Sequence, residues 1–142
     1  MTSTYTDASL GNSKAAVISN HVVRTMSAYT GRGPTKARTH ISDDVVTVLL
    51  QDTLTKGERS LVSEDREELV LTMRKAFQET MRQDLIDGIE QILGRKVIAF
   101  MSDNHIDPDI AAEVFVLAPA DVGPQSNGAR GARQDPPRSD SA

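Results

Sequence analysis

Between Leu69 and Ile92 apolar residues recur every three or four positions, through Val70, Met73, Phe77, Met81, Leu85 and Ile89. This is the period of an α-helix with one apolar face, and a helix of roughly six turns carrying such a stripe needs another layer to cover it. The rest of the chain must supply that layer. Glu67, Arg74, Lys75, Glu79, Arg82 and Asp87 are expected on the opposite, wet face. Ser63 is placed to cap the helix, Glu64 and Asp65 suit its positive end, and Gly94 supplies the left-handed residue that ends it.

An earlier helix is expected from Asn12 or Ser13 to about Thr30, with Ala15, Ile18, Val22, Met26 and Tyr29 as its apolar stripe. Gly31 and Pro34 stop it and leave Gly31-Arg32-Gly33-Pro34 as a turn. Ala37, Thr39 and Ile41 then alternate with Lys36, Arg38 and His40, the pattern of a strand with one buried face. After the turn residues Ser42-Asp43-Asp44, the run Val45 to Leu50 is apolar on both faces and reads as its antiparallel partner. Thr55 and Glu58 have capping-box spacing for a single helical turn ending near Leu61. Lys96 to Met101 reads as a third strand, Ser102 to Asp109 as a polar connection, and Ile110 to Leu117 as a fourth strand.

The fold class is therefore α+β. It is expected in two layers and αββαββ order, with a four-stranded antiparallel sheet covered on one face by two helices. The domain spans 12–118, preceded by a flexible stretch, 1–11; beyond Pro119 the Gly-, Pro-, Ser- and Arg-rich residues 119–142 are expected to be a disordered tail.

Composition narrows the function classes. With 38% hydrophobic residues, 4% aromatics and no Trp, the core must be built from Val, Ile, Leu, Met and Ala around Phe77, Phe100 and Phe115. So thin a core favours self-association, and a homo-oligomer, most simply a dimer, is expected. A net charge of −4 opposes non-specific binding to nucleic acid. The absence of Cys removes disulfides, thiolate metal sites and a cysteine nucleophile. Met1 to Leu10 lacks the basic start and apolar run of a signal peptide, so a cytoplasmic location is expected. The apolar runs fall well short of the roughly 20 residues of a membrane helix, so direct insertion is not expected.

Two clusters are candidate sites. Asp103, His105, Asp107 and Asp109 place a potential cation ligand at every second residue, but Pro108 occupies the place of the bending glycine in a calcium loop and Val114 that of the closing carboxylate. A structural connection explains the same residues. Arg32 and Gly33, with Lys36 and Arg38 nearby, could form an anion nest, although helix termination accounts for the glycines without a ligand. The three histidines form no zinc or catalytic spacing, and Ser60 and Ser63 have no nucleophile-elbow context. His21 is expected to be packed or semi-exposed. Met73, Met81 and Leu85 serve either the domain's own core or an intermolecular seam, with the core favoured.

Several segments together resemble the bacterial MpsC domain family, named for a sodium-translocating, membrane-potential-generating system. They are Gly31-Arg32-Gly33-Pro34, Val48-Leu49-Leu50 with Leu54-Thr55 and Glu58, Gly94-Arg95-Lys96-Val97, Ser102-Asp103, His105-Ile106-Asp107-Pro108-Asp109 and Val114-Phe115-Val116-Leu117. The resemblance covers roughly 12–118. It implies a non-enzymatic accessory or regulatory component of an ion- or bicarbonate-linked membrane complex, with no cofactor and no catalytic residue carried over. The alternative reading is a small-ligand or metal-sensing module.

Overall fold

The computed structural model describes residues 10–119. Nearly all of the expected tail and of the expected flexible N-terminus lies outside those residues. The elements are α1 (Leu10–Thr30), β1 (Lys36–Ser42), β2 (Val45–Gln51), α2 (Lys56–Ser63), α3 (Glu67–Leu93), β3 (Val97–His105) and β4 (Ile110–Leu117). The fold is mixed α+β with a four-stranded antiparallel sheet ordered β1-β2-β4-β3.

Side-chain alternation in the strands sets the core. Val46, Val48 and Leu50 of β2 and Ala111, Phe115 and Leu117 of β4 are buried, and they meet Ile18, Val22 and Met26 of α1 and Met81, Leu85 and Ile89 of α3. Phe100 packs on Phe115 with ring centroids 4.9 Å apart, a favourable tilted arrangement. A smaller cluster of Leu54, Val70 and Ile106 lies under α2.

The two long helices run antiparallel, as shown by Lys14 Nζ donating to the Ile92 carbonyl near one end and Tyr29 Oη donating to Asp84 Oδ2 nearer the other. Between them, His21 Nε2 lies 3.2 Å from the Leu85 carbonyl. A carbonyl only accepts, so that nitrogen carries the proton. The ring occupies the space over Gly88, where an added Cβ would lie 2.0 Å from it, which accounts for a glycine inside a long helix.

Several boundaries differ from the sequence expectation. α1 already includes Leu10, so Asn12 and Ser13 lie within the helix. The capping box at Thr55 and Glu58 is formed, but its helix runs eight residues, to Ser63. Ser63 does not cap α3; its hydroxyl donates to the Ser60 carbonyl, and α3 starts after Arg66 with no side-chain cap. Asp65, at φ +62°, turns the chain between the two helices, so the acidic first turn of α3 is Glu67 and Glu68 rather than Glu64 and Asp65. β3 runs on to His105, because pairing with β4 holds residues 102–105 in the ladder despite their polarity. Leu69 is 45% exposed, whereas Arg74 is turned inward.

Gly31 and Gly94 adopt positive φ at the ends of α1 and α3, as expected. Met81 and Leu85 are buried in the core, which leaves them no part in an intermolecular seam.

Candidate functional site

At one end of the sheet, where β1 and β4 begin and β2 and β3 end, a small open cleft separates α3 from the turns. Met26, Phe77 and Met81 give it apolar walls, and Arg32, Thr53, Glu58, Arg74 and Asn104 give it polar ones.

Arg74 organises the polar side. Its guanidinium donates to both Glu58 carboxylate oxygens, at 2.6 and 3.0 Å, to the Thr53 carbonyl at 2.6 Å and hydroxyl at 2.9 Å, and to Asn104 Oδ1 at 3.1 Å. Burial alone would raise the Glu58 carboxyl, but the hydrogen bonds from Arg74 and from the Thr55 backbone bring it below the ordinary glutamate value. The forked geometry of arginine suits this arrangement, since a lysine has one donor centre where Arg74 uses three nitrogens.

A second network forms the outer rim. Arg32 donates to the Asp52 carbonyl at 2.7 Å and to its carboxylate at 2.9 Å, Thr35 donates to the same carboxylate oxygen at 2.8 Å, and Arg59 pairs with the other oxygen. The Thr35 hydrogen bond, with Arg32 and Arg59 beside it, lowers the Asp52 carboxyl below its usual range. Asp109 joins from the β3–β4 turn: its carboxylate accepts from the Thr53 hydroxyl at 2.7 Å and the Leu54 N–H at 2.9 Å, and lies 3.7 Å from Arg59.

The two sequence clusters thus meet through one residue from each, Arg32 and Asp109, bridged by Asp52 and Arg59. The remaining members go elsewhere. Asp103 and His105 lie on the exposed side of β3, where Asp103 accepts from the Asn104 N–H and His105 Nδ1 is 2.8 Å from the Pro108 carbonyl. Asp107 is exposed in the β3–β4 turn. Among the described residues, no three of His, Asp and Glu converge as metal ligands. Gly33 packs against α1, where a Cβ would come within 2.9 Å of the Val23 carbonyl.

Sequence reasoning missed Asp52, Thr53, Arg59 and the inward turn of Arg74. Arg74 carried a signal: it stands at 70, 74, 77, 81, on the buried stripe itself.

Beneath the helices lies one more polar group. Glu113, on the covered face of β4, is 0% exposed, and neither carboxylate oxygen has a hydrogen-bond partner among the described residues. Burial pushes this carboxyl up to about 7, while Ser102, across on β3 but without a satisfactory hydrogen bond, and Arg74 pull it the other way.

Fold and cleft together define a class: a two-layer α+β domain with a preformed opening framed by tied arginines. The chain matches the family described as MpsC, Na+-translocating membrane potential-generating system, over residues 11–119, and it belongs to that family. No curated protein and no solved structure matches it.

Proposed function

We propose that this chain is a non-enzymatic accessory or regulatory protein of a membrane-potential-generating, Na+-linked system, acting from the cytoplasm. The family description supplies the link to a membrane system. Among the described residues no helix is long and apolar enough to cross a membrane, so the described domain would act through contact with other subunits.

The observation that carries the binding role is the cleft. Its charged groups are engaged with one another, Arg74 with Glu58 and Arg32 with Asp52, while the partly exposed Phe77 lines the cleft beside them. A fixed polar rim next to an apolar recess suits the capture of a partner's side chain. Capture from bacterial membranes at low salt tests this reading. A membrane subunit should be recovered with the native chain and lost when Phe77→Asp closes the apolar wall with a charge. Recovery of no membrane subunit, together with unchanged membrane potential after gene deletion, would remove the proposal.

The same cleft supports a second reading, a small-ligand-sensing module, because polar groups converge there beside apolar side chains. A thermal-shift panel of divalent cations and nucleotides addresses it, since a ligand of the native state raises apparent stability. A panel without any shift counts against it.

A further inference from the structure

The open face of the sheet has the composition of an interface. Opposite the helices, β2 presents Val45, Thr47 and Leu49, β4 presents Ala112, Val114 and Val116, and β3 presents Ala99 and Met101 in the same rows. Val45 is 38% and Met101 54% exposed, and Ile98, beside the bulge in β3, is 61% exposed. A solvated antiparallel face ordinarily alternates to polar residues, and this one does so mainly at its edges.

Those edges identify the occupant. One row of the face reads Arg38, Leu49, Ala112, Asp103 across β1, β2, β4 and β3. Its ends carry opposite charges with apolar residues between them, and among the described residues neither end makes an ion pair. Two copies placed face to face, with a two-fold axis along the strands between β2 and β4, would set β1 of each over β3 of the other at the same level. Arg38 of one copy then faces Asp103 of the second, twice by symmetry, with the valines and Leu49 between. The rotation of about 30° usual for aligned sheets moves an edge strand by roughly 4 Å, within reach of an arginine.

We infer that the open sheet face is a two-fold interface with a second copy of this chain, in register through Arg38 and Asp103. Four strands at about 4.8 Å spacing and seven residues at about 3.3 Å rise give a flat footprint on the order of 450 Å². With pleat and side chains added, the contact falls at the lower end of specific interfaces, so the dimer should dissociate on dilution. This inference is independent of the cleft and of the membrane reading.

Sedimentation equilibrium of the full chain over a wide concentration range tests it. The native chain should show a reversible monomer–dimer equilibrium, and Val114→Lys, which places a charge at the centre, should weaken it by about a hundredfold or more. Charge reversal then tests the register without touching the core. Arg38→Asp alone and Asp103→Arg alone should each weaken self-association, because each homodimer would carry only like-charge pairs. Mixing the two single variants, or combining both changes in one chain, should restore association.

A native chain that remains monomeric throughout overturns the inference, as does a dimer indifferent to Val114→Lys or a mixture without rescue. A monomer captured through this face by a membrane subunit also overturns it, while leaving the accessory role standing. A dimer with the expected rescue but no membrane capture does the reverse.

Discussion

Leu49 and Leu50 are neighbours in β2, yet Leu50 is fully buried against α1 and α3 while Leu49 lies on the open face. Glu113 and Val114 repeat the contrast in β4 with the chemistry reversed, because the carboxyl is under the helices and the valine is outside. Covering a sheet normally sorts apolar residues inward and polar ones outward, and both faces here contain exceptions. The covered face bears the desolvation cost of an unpartnered carboxyl, and the open face bears the cost of wetted apolar surface. Such costs are tolerated where a group has a use beyond stability, which is why the open face is the stronger candidate for contact and the covered face for sensitivity to pH.

The largest effect should come from the covered side. Arg74→Met leaves Glu58 buried without its cation and should cost about 3–5 kcal/mol in denaturant unfolding. Recovery in the double variant with Glu58→Gln would show that the stranded charge, rather than lost packing, is responsible. Next, Leu50→Ala should cost about 2–5 kcal/mol by opening a cavity between sheet and helices.

Glu113 sharpens the contrast through pH. Its native carboxyl titrates near 7, above the ordinary 4.5, so the native state holds this proton where the unfolded chain has released it. Its contribution to stability is therefore fully present below about 4.5 and is lost as pH rises toward 7, by roughly 3 kcal/mol in all. Glu113→Gln should flatten that part of the stability–pH curve; an unchanged slope in the variant would assign the dependence to other groups. The smallest effect should be that of Leu49→Ala, under about 1 kcal/mol for the monomer when measured at concentrations too low for association. A loss as large as that of Leu50→Ala would mean that the open face is covered within one chain.

The architecture was legible because it rests on periodicity. The stripes of α1 and α3 and the alternation in β1 each have a period that only one regular element satisfies, whereas β2 and β4 are legible as short apolar runs bounded by turn residues. Element ends were less legible. The sequence of residues 102–105 reads as a loop because Ser, Asp, Asn and His favour turns, and only pairing with β4 keeps them extended. Ser63 had the chemistry of a cap but was engaged by the preceding helix.

The cleft was half legible for a related reason. Arg32 and Asp109 stood in conspicuous local clusters, whereas Asp52, Thr53 and Arg59 acquire their roles only when the ends of β2 and the start of β4 meet. Arg74 was assigned to the wet face by its charge, although its spacing placed it on the stripe. Position should have outweighed polarity there.

Arg95 has a consequence for how this domain is joined to anything else. Its guanidinium holds the Asp43 carbonyl, the Asp44 carboxylate and the Ala118 carbonyl, at the end of the sheet remote from the cleft. Antiparallel α1 and α3 put the start of α1 at that same remote end. Both ends of the described domain, the start of α1 and Ala118, therefore lie at one pole, which leaves the cleft at the pole opposite the points where the rest of the polypeptide joins.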